Sequence, residues 1–358
     1  MTGGGCGCTA EPAPRCVDGA VESGAGQVPR ISTRWTWRDR LEHLRCRLGS
    51  FRNRYRRPPG LYAVGRPGRD TDVVVTANYG LSFDVVRRAL RDLDAWLLVL
   101  DTRGVNVWCA AGKGTFGSTE LIRRVEATSL GKVVAHRRLV VPQLGAPGVA
   151  AHEVQAATGF RVHFGPVRAD DLPAWLRAGR VASPAMRRVR FGILDRAILV
   201  PMELLPALRW FAAIAAVALL APLALGLGAA DAGARAAPFL ALLLAAVLAG
   251  AIVAPLALPV LPGRAFSVKG LVAGVPITAA ALALAGPAAR APLLALAAML
   301  GFPAVSSWLT LQFTGSSPFT GLSGVRREMR LAVPLQAAAV LLAALLAAAH
   351  ALGERGAP

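Results

Sequence analysis

The residues with the most chemistry to offer lie in one run, Asn106-Val107-Trp108-Cys109-Ala110-Ala111-Gly112-Lys113-Gly114-Thr115-Phe116-Gly117. It follows an apolar stretch, 95–100, that ends in Asp101-Thr102 and reads as a strand feeding a loop. Asn is a favoured helix N-cap, so a short helix capped by Asn106 has Val107, Trp108 and Cys109 as its first three positions, and the glycines from Gly112 end it. The positive end of such a helix favours the thiolate, the form of cysteine that binds metals. Behind the thiol stand only Ala110, Ala111 and Gly112, small residues that let a broad flat object approach the backbone. The pattern predicts a metal ligand beneath a large planar cofactor.

Two phosphate-binding readings of the same glycines fail on spacing. Gly112 to Gly117 satisfies G-x-G-x-x-G, but that fingerprint must follow its strand directly, and the strand ends near Asp101. The acid it requires about 20 residues further on is missing from Leu130-Gly131-Lys132-Val133-Val134. A Walker A loop needs Ser or Thr after its Lys, and Gly114 follows Lys113.

Positioning this loop requires a framework, and the flanking sequence supplies alternating strand and helix patterns. Strands are expected at 73–77 and 95–100, with Asn78-Tyr79-Gly80 turning into a helix capped at Ser82. Ser118 is expected to cap the next helix, followed by a strand over 132–140, a helix over 149–158, a strand over 160–167 and a helix over 169–178. The expected fold is an α/β Rossmann-like domain with a parallel sheet, its site in a loop beyond the C-terminal end of a strand. Before it, residues 1–66 read as an extension: a Gly, Ala and Pro-rich tail without fixed structure, then a basic amphipathic helix within 32–57 carrying Trp35, Trp37, Leu41, Leu44 and Leu48. The tail has no continuous apolar core, so no secretory signal is expected.

Charge separates the chain into two halves. Residues 1–200 hold 31 Lys and Arg and 17 Asp and Glu, against 9 and 4 from Pro201 on. The net charge of +19 could suggest nucleic acid, but the arginines are scattered without interleaved aromatics, and a cytoplasmic face beside anionic lipid accounts for them more simply. The five cysteines, Cys6, Cys8, Cys16, Cys46 and Cys109, have no regular spacing, so neither a disulfide framework nor a four-cysteine iron–sulfur or zinc site is expected. Cys6, Cys8 and Cys16 read as exposed thiols, with transient capture of a soft metal as the functional alternative.

Beyond a basic linker at 186–204, an all-α domain over 205–358 is expected to cross a bilayer five times, at about 205–227, 236–260, 268–287, 291–312 and 331–352. Arg187, Arg188, Arg190, Arg196, Arg264, Lys269, Arg326, Arg327 and Arg330 fall on one side and Arg235, Arg290 and Arg355 on the other. This bias puts the α/β domain in the cytoplasm of a multi-pass inner-membrane protein, with the C-terminus outside. No charge lies mid-span, which argues for anchoring over ion-coupled transport. The loop 312–324 is polar and reads either as a plain connection or as a hydroxyl-bearing cover for the site.

The run from Asn106 to Lys113 resembles, residue for residue, the cap-helix motif N-(V/I)-W-C-A-A-G-K of the mercury-methylating corrinoid protein family, HgcA, itself related to the corrinoid iron–sulfur protein of the acetyl-CoA pathway. The segments 140–152, 158–160 and 165–168 resemble that family's downstream blocks, and 312–324 its loop between the last two spans. The resemblance implies a corrinoid, cobalamin-like cofactor held by Asn106, Val107, Trp108, Cys109, Ala110, Ala111, Gly112 and Lys113, with Cys109 as the lower axial ligand of cobalt. It implies a methyltransferase that passes a methyl group from methyl-Co(III) to Hg(II), giving methylmercury. It further implies a ferredoxin-like [4Fe-4S] reductant, HgcB in that family, and a methyl donor such as a methyltetrahydrofolate methyltransferase. His152 is a rival cobalt ligand by residue type, but the D-x-H-x-x-G corrinoid motif is absent. Asn78 and Tyr79 are candidates to hydrogen-bond the corrin amides. A related protein with another methyl acceptor, and a non-catalytic corrinoid-binding or transport protein, are the alternatives.

Overall fold

The computed structural model describes residues 14–49, 51–318 and 320–356. The chain forms two compact units, the first closing at Val189 and the second taking up at Arg190.

The first unit is built on a seven-stranded mixed sheet. In chain order its elements are β1 (Val17–Ser23), β2 (Gly26–Ile31), α1 (Trp37–Arg47), β3 (Gly60–Val64), β4 (Val73–Ala77), α2 (Gly80–Ala89), β5 (Ala95–Leu100), α3 (Val107–Lys113), α4 (Ser118–Ala127), α5 (Leu130–Val133), β6 (Arg138–Val141), α6 (Ala151–Thr158), β7 (Arg161–Phe164) and α7 (Leu172–Arg177). The order across the sheet is β1-β2-β3-β5-β4-β6-β7. Strands β5, β4, β6 and β7 are mutually parallel, and β3 runs antiparallel to β5. The chain steps from β4 outward to β5, then returns across β4 to β6. That reversal opens a crevice at the C-terminal ends of β4 and β6, the place where open α/β sheets take ligands.

Alternation along the strands divides the core between two faces. Leu97 and Val99 pack with Phe83 and Leu90 of α2 and with Leu172 and Trp175 of α7. Trp96, Leu98 and Leu100 pack on the opposite face with Ala110, Ala111, Phe116, Leu121, Val125 and Val154. Helices therefore cover both faces of the parallel strands.

Several local expectations change. The stretch 17–31, expected as part of a tail, forms the antiparallel hairpin β1–β2, closed by the Ser23 hydroxyl donating to Gly26 O at 2.6 Å. Strand β3, also inside the expected extension, is fully part of the sheet. Cys16 is half-buried rather than exposed, and burial pushes its thiol upward, away from the thiolate that would capture a soft metal. Cys6 and Cys8 lie outside the described residues. The strand expected over 132–140 is shorter, because Leu130–Val133 close a helical turn after Ser129, whose φ is 47°.

Helix α1 buries His43 and Cys46, whereas Trp37, Leu41, Leu44 and Leu48 are exposed. The reason lies beneath it. Asp84 of α2 is fully buried and accepts hydrogen bonds from Tyr55 Oη at 2.5 Å and Arg87 Nε at 2.7 Å, with His43 Nε2 at 3.2 Å and Arg57 Nη2 at 3.3 Å. Burial alone would raise its carboxyl, but the His43 hydrogen bond and the two guanidiniums outweigh it and hold the carboxyl well below the usual range. A buried carboxylate must be paired, so α1 turns its polar residues inward.

The second unit contains α8 (Ile193–Ala197), α9 (Val200–Ala224), α10 (Ala229–Leu248), a π-helical turn Ala249–Val253 leading into α11 (Ala254–Leu256), α12 (Phe266–Leu284), α13 (Pro292–Gln312) and α14 (Leu322–Gly356). The linker expected over 186–204 is helical from Ile193. Among the described residues, five helical segments are long and apolar enough to cross a membrane: 193–224, 229–256, 266–284, 292–316 and 323–353. Small residues bring three of them together. A Cβ on Gly270 would lie 2.6 Å from Ser307 Cα, and one on Gly250 2.5 Å from Ser306 O. The Ser306 and Thr310 hydroxyls then reach Gly270 O and Gly250 O across the gaps, at 2.9 and 3.1 Å.

Candidate functional site

The loop between β5 and α3 is fixed before the helix begins. Arg103 and Gly104 both have positive φ, 58° and 74°, which gives the loop its tight reversal. Asn78, buried at the end of β4, binds the loop with its whole side chain: Oδ1 accepts Thr102 N at 3.1 Å, Thr102 Oγ1 at 2.9 Å and Gly104 N at 3.0 Å, while Nδ2 donates to Asp101 Oδ1 at 3.1 Å. Asp101 N in turn donates to Glu120 Oε1 at 2.8 Å, and Arg124 Nη2 holds that same oxygen at 2.7 Å. Asn78 is thus committed to positioning α3, not available to a corrin amide. Tyr79, its neighbour, is buried as the N-cap of α2.

Asn106 is the N-cap of α3, with φ −65° and ψ 160°, and its Oδ1 accepts Cys109 N–H at 2.9 Å. The same side chain turns Nδ2 toward Cys109 Sγ at 3.5 Å. One asparagine therefore caps the helix and contacts the thiol. Gly114, with φ 78°, ends the helix in a left-handed C-cap.

Ala110 and Ala111 are buried. Below α3 lies the turn Gln143–Gly148, where a Cβ on Gly148 would fall 2.1 Å from Phe116 O and 3.1 Å from Ala111 Cα. The outward face differs. Cys109 is half-buried, Trp108 is exposed, Gly112 and Lys113 are exposed, and a Cβ at Gly112 would meet nothing within 4 Å. Gly112 sits at i+3 from Cys109 and adds no side chain to that face, while Lys113 follows at i+4 and Asn106 touches the thiol from i−3.

Next to this face is a cavity of about 420 Å³ at the C-terminal ends of the parallel strands. Asn106, Val107 and Trp108 form one wall, Pro142 and Leu144 another, and Gly165, Pro166, Val167 and Arg168 a third. Cys109 adjoins this wall from the outer side of α3 and does not line it. Of the segments singled out in the sequence, 165–168 lines this cavity throughout, whereas 140–152 reaches it only through Val140, Pro142 and Leu144. The segment Thr158-Gly159-Phe160 does not reach it, because it precedes β7 and lies at the opposite, N-terminal edge of the sheet. His152 is exposed on the first turn of α6.

Two residues in this crevice escaped sequence reasoning. Ser82 does not cap α2, which begins at Gly80 because a Cβ there would strike the Tyr55 ring at 2.4 Å; Ser82 lines the cavity instead. Thr76 on β4 lines it too, and its buried Oγ1 has no hydrogen-bond partner. A lone Thr in an apolar strand leaves no sequence signal for either property.

Known proteins resemble this unit. Residues 50–176 match the family model described as CO dehydrogenase/acetyl-CoA synthase delta subunit. The acetyl-CoA decarbonylase/synthase complex subunit gamma of Methanopyrus kandleri is 36% identical over 120 residues, covering 33% of this chain and 26% of that protein. The corresponding subunit of Archaeoglobus fulgidus is 34% identical over 120 residues, covering 33% and 25%. The chain thus spans about a quarter of the length of the curated relatives it matches. The matched stretch contains the whole Asn106–Lys113 helix and the crevice beside it. These names agree with the relation to the acetyl-CoA pathway stated from the residues, and they do not single out the mercury-methylating branch.

Proposed function

We propose that the α/β unit binds a corrinoid and that the chain is a membrane-anchored methyltransferase whose acceptor is Hg(II), giving methylmercury. The observation that carries the reading is the placement of Cys109: a half-exposed thiol on the first turn of a rigidly seated helix, beside a crevice at the strand reversal. Three features fit the cofactor. Cys109 offers a single half-exposed soft ligand, as suits a metal that arrives in its own ring. The bare face at Gly112 leaves room for a broad planar group. The Thr76 hydroxyl, orphaned in the crevice wall, gains a partner when a polar substituent enters.

A corrinoid there supplies a cobalt centre able to accept and release a methyl group. The protein's part is positional and electronic. Cys109 would supply the sulfur ligand to the corrinoid's cobalt, and Asn106 fixes that sulfur's direction through its bond from Cys109 N–H and its Nδ2 contact. Trp108 flanks the thiol with a flat apolar surface. A thiolate ligand would make the bound metal electron-rich, chemistry that would suit methyl transfer to a soft electrophile such as Hg(II). On this reading a ferredoxin-like [4Fe-4S] protein would be the electron donor and a methyltetrahydrofolate-dependent protein the methyl donor.

The five long apolar helices serve, on this reading, as an anchor in the inner membrane, with the α/β unit on the cytoplasmic side and the C-terminus outside. The excess of basic residues in the loops on the first side supports that orientation. A second reading, a corrinoid protein with another methyl acceptor, is favoured by the likeness to acetyl-CoA decarbonylase/synthase subunits. Mixing the methylated protein with Hg(II) separates the two. Methylmercury formed in the wild type and lost in Cys109→Ala supports mercury as acceptor, whereas absence of product from a protein that still carries the methyl group selects the second reading.

A further inference from the structure

The second unit contains a cavity of about 900 Å³ between α12, α13 and α14. Leu271, Val275, Leu331 and Leu335 line it, and all four are also exposed, so it is an apolar groove open at its side. One end is charged. Arg264, just before α12, and Arg327, on the first turns of α14, both line that end. Glu328 is beside them but is already engaged: its Oε1 accepts Ser267 N at 2.7 Å and Ser267 Oγ at 2.8 Å, which caps the start of α12. Among the described residues neither Arg264 nor Arg327 makes an ion pair. Both guanidiniums are exposed at the mouth of the groove.

The groove continues past Gln336 to Ala339, with Met299 and Leu300 lining it from α13. Gln336 Nε2 donates to Ser307 Oγ at 2.7 Å, and Ser307 Oγ donates to Ser267 O at 2.8 Å, tying all three helices together. From Arg327 to Ala339, both of which line it, is twelve helical residues, about 18 Å at the α-helical rise. That is close to the ~15 Å depth of hydrocarbon in one leaflet of a bilayer about 30 Å thick.

We propose that this groove is a specific site for one anionic phospholipid, its phosphate between Arg264 and Arg327 and an acyl chain lying along Leu271, Val275, Leu331 and Leu335. The inference rests on the reading that these helices lie in a bilayer. Charge selects the headgroup, since a zwitterionic lipid carries its own cation toward two arginines. Side opening selects a lipid over a soluble anion, because an apolar groove of leaflet depth contributes nothing to binding free phosphate.

The test uses the full-length chain, purified in detergent and stripped of lipid, with phosphatidylglycerol or phosphatidylcholine added back and bound lipid counted by native mass spectrometry. Each basic side chain near a phosphate contributes about five-fold, so one phosphatidylglycerol is retained about 30-fold more tightly than phosphatidylcholine. R264Q/R327Q removes that preference, and L335W, which fills the groove, abolishes retention of both; circular dichroism confirms that each variant keeps its helices. Equal retention of the two lipids, selectivity unchanged in R264Q/R327Q, or glycerol phosphate competing as well as the lipid overturns the site. Alkaline carbonate extraction of the same chain from membranes separates the two levels. Extraction into the supernatant overturns the bilayer reading itself, while a chain that stays in the pellet yet shows no selectivity overturns only the lipid site.

Discussion

Replacing Asn78 with Ala tests whether the site helix is held from below. The substitution removes Oδ1 from Thr102 N and Gly104 N, at 3.1 and 3.0 Å, and Nδ2 from Asp101. Thr102 Oγ1 keeps its 2.6 Å bond to Val105 O, so the two backbone N–H groups are the main orphans. An unsatisfied, desolvated N–H costs about 1–3 kcal/mol, and at about 1.5 kcal/mol each, Gly104 being only half-buried, the two cost the loop about 3 kcal/mol. The loss concentrates in residues 101–106, because the core faces of β4 and β5 are untouched. About 3 kcal/mol corresponds to roughly a hundred-fold more frequent local opening at 1.4 kcal/mol per decade. Hydrogen–deuterium exchange of peptides covering 101–113 reads this directly: they exchange about a hundred-fold faster in Asn78→Ala, while peptides from β4 and α2 keep their protection. Unchanged exchange over 101–113, or uniform acceleration across the unit, refutes the assignment of Asn78 as the clamp of this loop.

Two further outcomes follow from the packing around the sheet. Asp84 has a folded-state carboxyl held low, so the stability it contributes is present above the ordinary carboxylate value of about 3.9 and is lost as pH falls below it; Asp84→Ala leaves Arg87 and Arg57 without their buried partner, costs about 3–5 kcal/mol at neutral pH and flattens the acid limb of a denaturation profile. Gly148→Ala puts a methyl 2.1 Å from Phe116 O and lifts α3 off its seat, lowering denaturant stability of the α/β unit by at least about 1–3 kcal/mol, whereas Gly112→Ala, inside α3 with nothing within 4 Å, raises stability by up to about 1 kcal/mol yet weakens corrinoid retention.

The parts of this protein that could be read in advance are those set by local chemistry. Strands 73–77 and 95–100 are short apolar runs bounded by Asp and Asn, and their limits coincide with β4 and β5. The Asn106 cap depends on one residue type and its spacing to Cys109, and the structure has that hydrogen bond. What was hidden depends on distant partners. The hairpin β1–β2 is rich in Gly, Ala and charge, and its strands are defined by pairing with each other and with the sheet, not by apolar alternation. The inward face of α1 is dictated by Asp84, some forty residues away, which draws His43 inward against the pull of Trp37 and Leu41. The small Ala111 also lets the Gly148 turn pack close beneath α3, a contact with a residue some forty positions away that no local pattern shows.

The most direct test of the account is the absorption spectrum of the full-length protein loaded with a corrinoid, compared between wild type and Cys109→Ala. A thiolate axial ligand predicts a wild-type spectrum distinct from the free cofactor that collapses toward the sulfur-free form in the variant, while Asn106→Ala shifts it without abolishing it. Identical spectra for wild type and Cys109→Ala, with equal cofactor bound, would contradict the assignment of Cys109 to cobalt.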